Sequence, residues 1–202
     1  MKKQSLLTMT VLMLFISCTT VKLTSEITAD NLGNPPGTIK IAADLYLDQS
    51  EVRNMDYLEF LYWTKNIYGI NSLEYKSIIP DAGIWKKINS NYASLDSNYL
   101  THPDYSHFPV LGVSNQQARQ FTKWRSDRVM EFTLIKYGVL DWNTKTTPGS
   151  EFTIEKYFTG MYKQIKPNPH LLIYPEYKLL DPEENTTTGF KNICTYKKWK
   201  TL

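Results

Sequence analysis

The sequence predicts one loop-rich α+β domain, and three observations lead to this class. Apolar residues alternate in some segments and recur at helical spacing in others. These strand-like and helical segments do not follow one another in a repeated βαβ order, so no parallel sheet is predicted. Long stretches between them are rich in Asn, Ser, Tyr and Pro, which is typical of irregular chain. Hydrophobic residues make up 42% of the chain and aromatic residues 13%, which is enough for a folded core.

The chain begins with a leader. Lys2 and Lys3 precede an apolar stretch over residues 6–16, and Ser17 precedes Cys18. This order is typical of a secretory signal peptide. The apolar stretch is too short to cross a bilayer, which takes about 20 residues. The letters L-F-I-S-C at its end resemble the lipobox of bacterial lipoproteins, which implies that Cys18 is acylated and becomes the N-terminus. The alternatives are an uncut anchor and a buried helix.

We therefore expect residues 1–17 to be removed, which leaves 185 of the 202 residues and suits one domain. Loss of Lys2 and Lys3 lowers the formal charge from +3 to +1. So small a net charge predicts no strong field for nucleic acid or for an anionic membrane, and no nucleic-acid partner is expected. Of the two cysteines, Cys18 would carry lipid, so Cys194 would have no partner for a disulfide.

Residues 18–37 are polar and end in a Gly- and Pro-rich stretch, so we expect a tether there and the folded domain over 38–202. Apolar residues occupy every odd position of 39–48, which predicts one half-buried strand. A helix should follow, capped by Asn54 and ended by Gly69. Its expected buried face comprises Met55, Leu58, Leu61 and Tyr62.

The middle of the chain divides into an irregular and a helical part. Residues 70–107 show no steady period, and we expect short elements only. Residues 108–113 predict a short apolar strand. Ser114 and Gln117 form a capping-box pattern at the start of a helix, with Ala118, Phe121 and Trp124 on its buried face. A separate helix is expected over 129–137, ending at Gly138.

The last third predicts little regular structure. Residues 152–162 have weak helical spacing, four prolines interrupt 165–185, and 189–196 alternate like a strand.

Several of these segments carry a family resemblance. Residues 51–61 read E-V-R-N-M-D-Y-L-E-F-L, and 108–125 read F-P-V-L-G-V-S-N-Q-Q-A-R-Q-F-T-K-W-R. In this order they resemble formylglycine-generating enzyme (sulfatase-modifying factor) domains. The stretch W-R-S-D-R-V-M-E over 124–131 is closest to a branch of lipoproteins of the Bacteroidetes gliding-motility and type IX secretion apparatus, and H-P-D-Y over 102–105 also suits that branch. G-F-K at 189–191 resembles the closing strand of the family.

The resemblance implies a C-type-lectin-like fold in shortened form. The enzymes of the family run much longer between the middle motif and the closing strand, and they carry an R-G-G-S-W strand near their catalytic cysteines. That strand is missing from this sequence. The family reaction, as the resemblance implies, uses two thiols that hold copper, and Cu(I) prefers such soft ligands. Cys194 alone cannot form the pair.

Other chemistry-bearing residues favour structural roles. His102 and His107 flank a proline-containing loop and His170 is distant, which does not match the spacing of a metal site. Asp127 and Glu131 are spaced as carboxylates on one helix. Their basic neighbours Arg125 and Arg128 should keep both ionised, so we expect an ion-pair cluster and no general acid. The expected site therefore has no catalytic residue, no cofactor and no metal, and its one modified residue is Cys18.

The sequence thus predicts a lipid-anchored protein of the cell envelope, held in the outer membrane and facing the periplasm. The partners expected are the membrane, through the lipid on Cys18, and an envelope protein of an assembly such as the gliding or secretion apparatus. Two alternatives stay open. One is a formylglycine-generating or iron-dependent oxidoreductase of the same superfamily. The other is a glycan-binding module, suggested by the lectin-like fold that the resemblance implies, which would need exposed aromatic residues beside clusters of Asn and Asp. Likeness of fold alone does not settle function.

Overall fold

The protein is a small α+β domain built on a four-stranded antiparallel sheet, as a computed structural model shows. The structure describes residue 23 and residues 25–200, apart from 143–145, 163–164, 182 and 184–185. Cys18 and the expected signal peptide lie outside the described residues. The sheet has the order β1-β2-β4-β3. Its strands are β1 (Thr38–Ala42), β2 (Leu45–Asp48), β3 (Ile173–Leu179) and β4 (Asn192–Lys198).

Six α-helices occur in the described part of the chain. Two are long: α2 (Asn54–Tyr68) and α5 (Asn115–Lys136). The short ones are α1 (Ala29–Leu32), α3 (Leu73–Ser77), α4 (Ile84–Ile88) and α6 (Ile154–Phe158). Short 3-10 helices lie at Ser90–Ser97, Pro103–Tyr105 and Thr186–Thr188.

The strand predicted over 39–48 is a hairpin of β1 and β2. The two strands pair antiparallel, with Thr38 opposite Asp48. The even-numbered side chains Tyr46 and Asp48 are buried, whereas Ile39 and Ile41 are 46% and 49% exposed. The predicted inward face is therefore wrong. Tyr46 points inward because it packs with Tyr177 and Cys194 in a small separate cluster.

Helix α2 begins and ends close to the prediction but turns a different face inward. Arg53 caps it, and the Asp56 carboxylate accepts the Arg53 backbone N–H at 3.1 Å. Asn54 lies inside the helix, fully buried, and donates to the carbonyl oxygens of Tyr99 and Tyr105. The expected core residue Tyr62 is 66% exposed. The buried residues are Asn54, Tyr57, Phe60, Leu61, Thr64 and Ile67.

The capping box at the start of α5 is confirmed. The Ser114 hydroxyl accepts from Gln117 N–H, and the Gln117 side-chain oxygen accepts from Ser114 N–H. It continues without a break to Lys136, so no separate helix starts at residue 129. No glycine or proline interrupts residues 115–136, which is why one helix forms instead of two. At 22 residues it is about 33 Å long.

This length lets α5 join two hydrophobic cores. Its first half supplies Ala118, Phe121 and Trp124 to the first core, which is shared with α2. Its second half supplies Met130 and Leu134 to a second core. The buried members of that second core are Ile27, Met130, Leu134, Phe152, Ile154, Tyr157, Phe158 and Leu171.

Part of the predicted tether packs on the domain. Ile27 is buried in the second core and its N–H donates to the His170 carbonyl oxygen at 2.7 Å. Tyr196 and Tyr137 donate to carbonyl oxygens at Gly33 and Asn31. The described residues from 25 to 37 are therefore part of the folded unit, because their apolar side chains complete a core.

Two predictions for the last strands differ from the structure. Strand β3, expected as irregular chain, pairs along its whole length with β4. Its Pro175 is tolerated because β3 is an edge strand. Residues 108–113 form one isolated bridge, Arg53 to Pro109, and no strand. Within this segment Gly112 has φ +75°, and a Cβ added to it would lie 2.4 Å from the Asp81 carbonyl oxygen.

Candidate binding cleft

A large cleft of about 1010 Å³ lies between α2 and α5. The two helices are held together where Phe60, Phe121 and Trp124 pack, with ring centroids 5.2 to 5.9 Å apart. Both helices extend past this contact and provide opposite walls. From α2 the cleft takes Glu59, Tyr62, Trp63, Asn66 and Ile67, and from α5 it takes Arg125, Arg128, Glu131, Phe132 and Ile135.

A buried ion pair closes one end of the cleft. Arg125 lies 2.9 Å from Asp48 Oδ1 and donates to Asp48 Oδ2 at 3.0 Å. The backbone and side chain of Asn192 also donate to Asp48 Oδ2, at 3.0 and 2.8 Å. Arg125 further donates to the Pro36 carbonyl oxygen at 2.8 Å, and its guanidinium lies 4.2 Å from the Tyr177 ring centre. The hydrogen bonds converge on Asp48 Oδ2, while Oδ1 is buried with only the ion pair to Arg125. These protein partners give the pair a structural role.

A second arginine forms part of the wall. Arg128 lies over the Trp63 ring, 4.6 Å from its centre, and donates to Glu131 and to the Phe152 carbonyl oxygen. Such stacking stabilises a desolvated guanidinium. Two N–H groups in this wall, Arg128 Nε and Trp124 Nε1, are buried and have no hydrogen-bond partner in the structure. Both are unsatisfied polar groups inside the wall itself.

The neighbouring carboxylates correct one expectation. Burial raises the pKa of Asp127 to about 6, and hydrogen bonding from Ile154 N–H at 2.8 Å together with Arg128 opposes this only in part. Burial also raises the pKa of Glu131, against the effect of Arg128. The sequence predicts that basic neighbours keep both ionised, with neither pKa raised. Desolvation outweighs them because both side chains lie largely out of water. The expected cluster is also divided, since Arg128 pairs with Glu131 while Arg125 pairs with Asp48.

Exposed aromatic side chains surround the cleft. Tyr62 is 66% exposed, Phe132 58% and Trp142 70%. Five carboxylates line the cleft against three guanidinium groups. Glu59 lies one turn from Tyr62 on the exposed side of α2. The cleft therefore offers flat apolar faces, acceptors and a small excess of negative charge, which suits a neutral or basic ligand.

Cys194 carries the kind of thiol that the reaction implied by the resemblance would use, but it lies outside this cleft. It is fully buried on β4 with Tyr46 and Tyr177, and burial raises the pKa of its thiol to about 12. The thiol is therefore protonated at neutral pH, which makes it a poor nucleophile and a poor metal ligand.

The three histidines are not brought together. His102 accepts from Asp104 N–H at 3.2 Å, and His107 lies 3.4 Å from Arg53. His170 contacts Ile27 through its backbone. Among the described residues there is no group of three or more His, Cys, Asp or Glu side chains placed to hold a metal ion.

The sequence pattern does not predict the cleft, because helical spacing places Tyr62 on the buried face of α2. One signal could have indicated it. Arg125, Arg128, Phe132 and Ile135 recur at spacings of three and four, which marks a stripe on one helix face. The stripe mixes charged and apolar residues, and only the position of α2 shows that both kinds face the same groove.

No helix in the described part of the chain is long and apolar enough to cross a membrane. Comparisons with protein-family models, with curated proteins and with solved structures each gave no match.

Proposed function

We propose that this protein is an outer-membrane lipoprotein, anchored through Cys18, whose domain binds an envelope protein in the cleft between α2 and α5. The domain would be a shortened member of the formylglycine-generating enzyme superfamily with a C-type-lectin-like fold. Its role would be structural, in an assembly such as the gliding or type IX secretion apparatus. The cleft is the observation that carries this proposal.

The meeting of distant segments supports the family resemblance. Val52 N–H donates to the Phe190 carbonyl oxygen at 2.9 Å, and Val110 N–H donates to the Val52 carbonyl oxygen at 2.9 Å. All three residues are buried in the first core. Each comes from one of the three segments in which the resemblance was found.

The composition of the cleft supports binding of a protein. Residues that dominate binding energy at protein interfaces are enriched in Trp, Tyr and Arg. The cleft presents Tyr62, Trp63, Trp142 and Arg128. It also has the size of a large ligand site, and two helices form its walls, a geometry that receives a peptide segment or a third helix.

Catalysis is supported less well than binding. The thiol of Cys194 is buried and protonated, with its pKa raised by burial to about 12. The oxidoreductase alternative predicts turnover of a Cys-containing sulfatase peptide in the presence of Cu(I). We expect none. Turnover that disappears in Cys194→Ser would overturn the binding role and establish the enzyme.

Site-specific photo-crosslinking in intact cells tests the cleft. A photoreactive phenylalanine analogue replaces Tyr62 or Phe132 inside the cleft, and replaces Tyr92 as a control. Tyr92 is 51% exposed and contacts Trp85 edge to face, outside the cleft. We expect one protein adduct of defined mass at both cleft positions and none at Tyr92. Adducts of equal yield at Tyr92, or none at either cleft position, would refute the proposal.

Mass spectrometry of the mature N-terminus tests the anchor. We expect an acylated Cys18 and no peptide from residues 1–17. Cys18→Ala should release the protein from membranes, since each buried CH₂ of an acyl chain contributes about 0.8 kcal/mol. An unmodified Cys18 would refute the lipoprotein assignment.

A glycan is the second candidate ligand, and one observation favours it. Tyr62 is exposed on the same side of α2 as Glu59 and Asn66, which combines an aromatic face with an amide and a carboxylate that can hydrogen-bond to sugar hydroxyls. Retention of the protein on isolated cell-wall polysaccharide, lost in Tyr62→Ala and kept in Tyr92→Ala, would establish this function in place of protein binding.

A further inference from the structure

The N-terminal segment joins the domain at an end that is rich in lysine. Leu23 packs against the second core, and the Glu26 carboxylate pairs with Lys198 at 2.7 Å. Ile27 N–H donates to the His170 carbonyl oxygen at 2.7 Å. Trp199 N–H donates to the Leu172 carbonyl oxygen at the same distance. The entry of the chain, the 170–172 loop and the end of β4 therefore lie side by side.

The distance from Cys18 to this end is short. Five residues lead from Cys18 to Leu23, and an extended chain spans at most about 3.6 Å per residue, or roughly 18 Å in total. This step rests on the proposed acylation of Cys18. With the acyl chains in a bilayer, Leu23 and the second core on which it packs stay within this reach of the anchor, whereas the first core packs on the other half of α5.

The charge of this end is positive. Lys166, Lys197 and Lys200 are exposed, and none forms an ion pair within the part of the chain that the structure describes. Lys198 is compensated by Glu26. The second cavity, beside Trp199, adds Asp127, Glu155 and Glu176 against Lys123 and Lys178. Together with Glu26, four carboxylates face six lysines, which leaves a net charge of +2.

We propose that this lysine-rich end, made of Lys166, Lys197, Lys198 and Lys200, docks on an anionic lipid surface. Basic side chains close to such a surface are attracted over about one Debye length, roughly 8 to 10 Å at physiological salt. The short connection to Cys18 holds the lysines within this range. The docking fixes the orientation of an otherwise tethered domain, with the second core towards the membrane.

Lysine acetylation of the acylated full-length mature protein tests the proposal. The protein is reconstituted in phosphatidylcholine vesicles with or without about 30% phosphatidylglycerol, which provides the anionic surface. Mass spectrometry follows the acetylation rates of Lys197, Lys198 and Lys200, each divided by the rates of Lys65, Lys76 and Lys86 in the same sample. Those three lysines are exposed on α2, α3 and α4. We expect about fivefold slower acetylation of the lysine-rich end on anionic vesicles, and loss of this protection at 1 M salt.

Two matched variants separate docking from general attraction. In Lys166→Glu/Lys197→Glu/Lys200→Glu, the remaining Lys198 should lose its protection. In Lys65→Glu/Lys76→Glu/Lys86→Glu, which changes the net charge equally, Lys198 should stay protected. Equal rates on both vesicle types, or equal effects of the two variants, would overturn the inference. An unmodified Cys18 would refute the anchor as well, so the two failures can be told apart.

Discussion

One carboxylate, that of Asp48, joins three segments of the chain. It accepts hydrogen bonds from Asn192 on β4 and pairs with Arg125 on α5, which in turn binds the Pro36 carbonyl oxygen. Asp48→Asn leaves a largely buried guanidinium without its counter-charge. We expect a loss of about 3–5 kcal/mol in the free energy of unfolding, measured with urea. Asp30→Asn removes the exposed pair with Lys40 and should cost less than about 1 kcal/mol. Similar losses in the two variants would contradict a structural role for the Asp48 pair.

Asp127 should make stability fall as pH rises. Burial raises its pKa from an ordinary value of 3.8 to about 6 in the folded state. Between these values the folded state binds more protons than the unfolded state, so stability decreases from about pH 4 to about pH 6 and stays lower above. Asp127→Asn removes this dependence and can still accept from Ile154 N–H. We expect the variant to gain roughly 2–3 kcal/mol relative to wild type between pH 4 and pH 8. Parallel stability curves for the two proteins would show that Asp127 does not titrate in this range.

Helix α5 contributes side chains to both hydrophobic cores, and alanine substitutions on its buried and exposed faces should affect stability differently. Trp124 is 9% exposed and packs against Phe60 and Phe121. Trp124→Ala should cost about 3–5 kcal/mol. Phe132 lies two turns further along and is 58% exposed, so Phe132→Ala should change stability by less than about 0.5 kcal/mol. Thermal and urea unfolding measure both. An unchanged melting temperature for Trp124→Ala would contradict its place in the first core.

At the scale of the whole molecule, residues 25–37 are a structural part of the domain. Ile27→Ala removes a buried side chain from the second core and should cost about 2–5 kcal/mol. Hydrogen exchange should show faster exchange at α6 and at Leu171, which belong to the same core. The control is Ile70→Ala, since Ile70 is 60% exposed. If Ile27→Ala were as stable as this control, residues 25–37 would be a free tether, as the sequence alone had indicated.

Local signals in the sequence determined much of this architecture. The capping box at Ser114 and Gln117, the end of α2 at Gly69 and the irregular chain over 70–107 follow from short-range physics. A hydroxyl that accepts a helix N–H, or a glycine that adopts a positive φ, acts within a few residues. The α+β class and the single domain follow equally from length and from the mixture of periods. These features are predictable because the residues that cause them are neighbours in the chain.

Tertiary structure decided the faces and the cleft. The alternation over 39–48 shows that one face differs from the other, but only contacts with Tyr177 and Cys194 make the Tyr46 face the buried one. Strand β3 forms in a proline-rich segment because β4 provides its hydrogen-bond partners. Tyr62 became a surface residue because α5 packs on the neighbouring stripe of α2. In each case the stabilising contacts come from residues far away in the sequence. A local sequence pattern therefore cannot predict which face is buried or what net charge an assembled surface carries.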